Sequence, residues 1–105
     1  MPDWFIDRVW SDFDGDTRRA ILRLYCSSPS DVLARAGERL GDLRCPALVV
    51  WPTADPYVGA EWGPRYADAF GGDVQLEMIE RAGHWMWLDR PDLIDKVAAF
   101  LAAVP

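Results

Sequence analysis

The spacing of apolar positions divides the chain into a helical first part and a second part where strand and helix patterns alternate. From residue 1 to about residue 42 the apolar positions recur at helical intervals. Trp4, Phe5, Val9 and Trp10 form a first stripe behind Pro2, a residue tolerated in a first helical turn. Asp14-Gly15-Asp16 breaks that stripe, and Asp16 is placed to cap a second helix whose apolar face is Ile21, Leu22, Leu24 and Tyr25. Ser28-Pro29-Ser30-Asp31 has the make-up of a third helix start, with Ser28 as cap and Pro29 in first position. Val32, Leu33, Ala36 and Leu40 supply its stripe. Three short helices without a strand make a poor core of their own and are expected to lie against something else.

The pattern changes at Leu43-Arg44-Cys45-Pro46. Ala47-Leu48-Val49-Val50-Trp51 is a continuous apolar run bounded by Pro52, which suits a strand covered on both faces, as in a parallel sheet. Residues 60–70 predict a helix carrying Trp62, Tyr66, Ala69 and Phe70, ended by Gly71-Gly72. Val74, Leu76, Met78 and Ile79 predict a second strand, with polar Gln75 and Glu77 between them. Pro91 opens a last helix on Leu93, Ile94, Val97, Phe100 and Leu101. Strand, helix, strand, helix is a βαβ crossover, so residues 43–105 predict an α/β fold with parallel strands behind a helical segment at 1–42. Two strands leave an unpaired edge each, and three or more are normally needed for independent stability. The chain is therefore expected to be part of a larger sheet, or to complete its sheet with a partner or with itself.

Composition narrows the partners. Of the 105 residues, half are apolar and 27% charged, the balance of an ordinary globular protein. The formal net charge of -6 opposes binding to phosphate backbones and to anionic membranes, so neither nucleic acid nor membrane is an expected partner. The pair Arg18-Arg19, flanked by Asp14 and Asp16, reads as a solvated helix face. There is no apolar run of about 18 residues and no signal-peptide pattern at Met1–Trp10, so a cytoplasmic location is expected. Cys26 and Cys45 show neither CxxC nor zinc-ligand spacing and read as buried apolar fillers in a reducing compartment, with a disulfide as the alternative. One His, two distant Cys and scattered carboxylates make no metal cluster, and Gly71-Gly72 lacks the pattern of a phosphate loop. No metal or cofactor is expected.

Ligands of doubly wound sheets bind beyond the carboxyl ends of the strands. Two polar residues fall there. Asp55 lies in the turn Pro52-Thr53-Ala54-Asp55-Pro56, and His84 in Arg81-Ala82-Gly83-His84-Trp85. If the strands are neighbours, both loops emerge on one rim. A carboxylate beside an imidazole can fix its tautomer while the other ring nitrogen handles a proton. The plainer reading is that Asp before Pro initiates a turn and that His84 bonds nearby backbone. His84 is the only histidine, so any imidazole chemistry in the chain must use it.

The segment Cys45–Pro56 resembles the strand and loop that present the triad acid in α/β-hydrolases, and Ile79–Trp85 resembles that family's histidine loop. Leu88-Asp-Arg-Pro-Asp-Leu-Ile and Ala98-Ala-Phe-Leu101 resemble its closing helix. The resemblance covers residues 43–105, in the right order, and implies the last two strands of the family sheet. It implies Asp55 as triad acid and His84 as general base. Residues 1–42 would correspond to the end of the family's mobile cap. Trp85, directly after His84, is expected to line a pocket for a small apolar substrate, while Met86 and Trp87 anchor the loop. Pro52 stands where the family commonly has Gly, and Asp89 where it often has Glu.

The large departure is the nucleophile. No small-x-nucleophile-x-Gly turn occurs between a strand and a helix, and Ser11, Ser27, Ser28, Ser30 and Cys26 lie in or beside helical segments. The expected parent is a hydrolase of esters, epoxides or halides with a nucleophile–His–Asp triad, and these residues alone are expected to be inactive. The rival expectation is a non-catalytic module that pairs its strand edges with a partner or as a homodimer.

Overall fold

Residues 1–103 are described by a computed structural model, and their contacts divide them into two units, Met1–Glu38 and Arg39–Pro105. The division falls ahead of the change in composition at Leu43.

The first unit holds three helices, α1 (Asp3–Asp12), α2 (Gly15–Ser27) and α3 (Ser30–Gly37), and none of them contains a buried residue. Trp4 and Trp10, the widest side chains of the first stripe, stay 64% and 63% exposed. Local bonds set where these helices begin and end. Asp14, not Asp16, caps α2: its backbone is extended and its carboxylate accepts from Thr17 N at 2.8 Å. The cap must stand outside the helix to reach back to the third helical amide. Asp16 is already in the first turn, where it pairs with Arg19. Likewise α3 starts one residue later than expected. Extended Pro29 precedes it without a side-chain cap, so Ser28 is not the cap, and Gly37 ends it before Leu40. Leu40 lies instead in a single 3₁₀ turn, Leu40–Asp42, of the second unit. Both cysteines are free and exposed, contrary to the expectation of buried fillers. Cys26 sits in the last turn of α2, which buries nothing, and Cys45 in the loop before the first strand.

The second unit contains β1 (Ala47–Pro52), α4 (Trp62–Ala69), β2 (Val74–Ile79), the single turn α5 (Met86–Asp89) and α6 (Asp92–Ala103). The strands pair in parallel, in a register running from Ala47 opposite Val74 to Pro52 opposite Ile79. Alternation along each strand sends side chains to opposite faces. Trp51 faces α4, where an added Cβ on Gly63 would stand 2.8 Å from the Trp51 Cβ, so only glycine lets helix and strand approach this closely. The indole also stacks, tilted, on Tyr66 at 5.6 Å and donates to the Gly59 carbonyl at 3.1 Å.

Val50 and Ile79 face the other way. There Ile79, Ala82 and Leu93 of α6 form the buried core, with Val50 and Met86 packed against it, and Glu77 pairs with Lys96. A helix on each face is the βαβα arrangement expected from the sequence. Burial is thinner than expected, however. Ala47–Trp51 are half-buried and only Pro52 is fully buried, because each strand has one strand neighbour and one helix per face.

Candidate active site

The strand register builds the site. Because Pro52 is level with Ile79, both chains leave the sheet at the same height. The exit loops are then laced together. Thr53 N donates to the Ile79 carbonyl at 3.1 Å, and Ala54 N donates to the Ala82 carbonyl at 3.0 Å. Arg81 N donates to the Thr53 hydroxyl at 2.9 Å. Arg81 has φ 60°, the one left-handed non-glycine backbone among the described residues, and this bend turns the chain back toward β1.

Asp55 and His84 meet at the end of this lacing. Asp55 Oδ1 accepts from the amides of Tyr57 at 2.8 Å and Val58 at 3.2 Å, an arrangement that closes the turn around its own side chain. Its Oδ2 lies 2.8 Å from His84 Nδ1. The carboxylate is 5% exposed and the imidazole 40%, so the acid is sheltered while the ring reaches solvent. Burial pushes the Asp55 pKa upward, but the bonds from Tyr57 N, His84 and Val58 N outweigh it and hold the carboxyl below its ordinary value. An ionised carboxylate only accepts, so the bridging proton belongs to Nδ1. Nε2 then carries the lone pair, and it has no hydrogen bond among the described residues.

His84 is held from three further directions. Gly83 N, directly before it, donates to Asp89 Oδ2 at 2.9 Å. The Tyr57 ring meets the imidazole edge-on at 5.2 Å and 87°, and the Trp85 ring does so at 5.3 Å and 87°. Trp85 in turn contacts Trp87 at 5.6 Å. The three residues singled out from the sequence, Asp55, His84 and Trp85, thus stand together. Tyr57, Thr53 and Asp89 were not expected to contribute. Tyr57 follows from the Asx turn, since a residue two places after such an Asp is folded back over it. Thr53 and Asp89 act through backbone partners, which leave no mark on the pattern of residue types.

Among the described residues no three His, Cys, Asp or Glu side chains gather as metal ligands. No helix among them is long and apolar enough to cross a membrane.

Parallel strands with a helix on each face and an acid–imidazole pair on the carboxyl rim define an α/β protein consistent with part of a hydrolase fold. The model of the alpha/beta hydrolase family matches residues 1–97, and the chain belongs to that family. The match extends through the first unit, beyond the segment 43–105 whose motifs carry the resemblance. No curated protein and no solved structure matches the chain.

Proposed function

We propose that Asp55 and His84 are the acid and the general base of a nucleophile–His–Asp hydrolase, with the nucleophile supplied from outside residues 1–105. The observation that carries this reading is the 2.8 Å bond from His84 Nδ1 to a sheltered carboxylate whose other oxygen is already occupied by two amides. That arrangement fixes the ring's tautomer and leaves Nε2 without a hydrogen bond among the described residues. The placement of the serines and cysteines among the described residues supports a nucleophile from outside. Ser11, Ser27, Ser30 and Cys26 lie in helices, Ser28 beside them, and Cys45 before β1, none at a strand-to-helix turn.

With a serine nucleophile, Nε2 takes the hydroxyl proton as oxygen attacks the ester carbonyl, and returns it to the departing alkoxide. Water then repeats the exchange and releases the acid. With an aspartate nucleophile, opening of an epoxide, whose freed oxygen takes a proton from solvent, or displacement of a halide as its ion gives an enzyme ester, and Nε2 deprotonates the water that hydrolyses it. In both, Asp55 stabilises the imidazolium. General-base catalysis of this kind contributes about 10²–10⁴-fold. The substrate is a small apolar ester, epoxide or halide placed beside Trp85.

Sequencing the reading frame upstream of Met1 tests the proposal together with assay of the encoded polypeptide. An in-frame elbow, with nitrophenyl-ester, epoxide or haloalkane turnover abolished by His84→Ala, is the expected result. Turnover that survives His84→Ala overturns it.

A second reading rests on the open sheet. Each strand has an unpaired edge, and Val50, Met86, Trp87, Leu93, Ile94 and Val97 line an apolar groove of about 310 Å³ on the α6 face. A non-catalytic module would pair these edges with a partner or a second copy. A stable dimer that hydrolyses nothing, with no upstream elbow, is the outcome that selects it.

A further inference from the structure

We propose that Thr53 is a positioning residue for the Asp55–His84 pair, its hydroxyl holding the left-handed turn that carries His84 to the carboxylate. This rests on the acid–base reading of that pair.

Thr53 lies two residues before Asp55, and its bonding partner Arg81 three residues before His84. The Thr53 hydroxyl accepts from Arg81 N at 2.9 Å and is 3.4 Å from the Ile79 carbonyl, to which it donates. One side chain therefore grips both ends of the β2 exit turn. Together with Asp55–His84, it links the chain leaving β1 to the chain leaving β2 through side chains. The turn needs such a grip. Arg81 adopts φ 60°, a conformation that L side chains disfavour, and the residue is exposed. Strained backbone of this kind persists only when its surroundings over-determine it.

Removing the hydroxyl leaves the Arg81 amide without its acceptor and frees the turn to relax toward negative φ. His84 follows three residues later. Hydrogen bonds weaken steeply with angle, so even a small rotation of the loop takes Nδ1 out of line with Asp55 Oδ2. The neighbouring brace, Ala54 N to the Ala82 carbonyl at 3.0 Å, ties backbone to backbone and survives the substitution. Loss of the hydroxyl should therefore loosen the imidazole without dismantling the sheet.

His84 is the only histidine, so its ring nitrogens can be read without ambiguity by ¹⁵N NMR of the 105-residue chain. In the wild type the neutral ring is expected as the Nδ1–H tautomer. Thr53→Val keeps the shape and removes the hydroxyl. It should shift the neutral ring toward the Nε2–H form of a free imidazole, and Thr53→Ser should restore Nδ1–H. A Thr53→Val ring that keeps the wild-type tautomer overturns the role of Thr53 alone. A wild-type ring already in the Nε2–H form, unchanged by Asp55→Asn, overturns the acid–base pair and this inference with it. Should Thr53→Val not fold, hydrogen exchange of the wild-type Arg81 amide decides. Protection supports the grip, and exchange at the rate of an open peptide overturns it.

Discussion

Asp55 Oδ2 lies 2.8 Å from His84 Nδ1 across 29 residues of sequence, while Asp55 Oδ1 holds the amides of Tyr57 and Val58. The carboxylate is anchored at both oxygens, so it cannot rotate away from the ring without giving up its own turn. A side chain needed only to close a turn would use one oxygen. The second oxygen is the one that reaches His84, and the proposed acid role rests on it.

The anchoring predicts an acid limb in the stability of the protein. Asp55 is held below its ordinary value because bonds from Tyr57 N, His84 and Val58 N outweigh the opposing effect of burial. Asp14 is lowered chiefly by the Thr17 amide, and Asp92 chiefly by the Arg90 guanidinium. A carboxyl whose folded pKa lies below its unfolded one adds stability that is fully present above the unfolded pKa and is lost as pH falls through the folded one. Urea midpoints should thus be level above the ordinary carboxyl value of 3.8 and fall below it, with a shallower fall in Asp55→Asn. An identical acid limb in Asp55→Asn contradicts the assignment.

Gly63 and Gly37 should respond in opposite senses to alanine. At Gly63 the new Cβ meets the Trp51 Cβ and Cγ at 2.8 Å, with Met78 Sδ at 3.0 Å, so helix α4 must move off the sheet. Overpacking of this sort costs about 1–3 kcal/mol. At Gly37 nothing lies within 4 Å and φ is not positive, so alanine should be neutral or stabilise by about 0.4–1 kcal/mol through the unfolded chain. Chemical denaturation of the two variants checks both signs.

Leu93→Ala opens the small core formed with Ile79 and Ala82, where Leu93 is 4% exposed. Such truncations cost about 2–5 kcal/mol. Few other residues share this burial, so near-ultraviolet circular dichroism should show loss of fixed packing around Trp87, which lines the same groove. Leu101→Ala, at a position 66% exposed, should leave the same signal unchanged.

Trp85 tests substrate contact separately from proton transfer. If its ring binds an apolar group alike in ground and transition states, Trp85→Ala raises KM by about 10–100-fold and leaves kcat nearly unchanged. A fall in kcat with unchanged KM would instead assign Trp85 to holding His84, which it meets edge-on at 5.3 Å.

The sequence reveals the elements whose signal is a repeated pattern and hides those whose signal is a single contact. Both strands were legible because an apolar run after Pro46 and an alternating run after Gly72 each exceed four residues. Asp55 and His84 were legible because they stand beyond the ends of those runs. Their meeting depends on the register of Pro52 with Ile79, which no local pattern specifies. The single turns Leu40–Asp42 and Met86–Asp89 are too short to show a period. The cap of α2 fell on Asp14 because two acids flank Gly15, and only the extended backbone of the first distinguishes them. Half-burial of β1 also escaped the pattern, since an apolar run reports what a strand can bury and not what is there to cover it.

The most direct test of the acid–base account is kcat of Asp55→Asn in the polypeptide that carries these residues together with a nucleophile elbow. Asparagine keeps the shape and the turn amides but removes the charge and allows the wrong imidazole tautomer. A fall in kcat of about 10⁴-fold is the predicted result. An unchanged kcat in a folded variant would contradict the account.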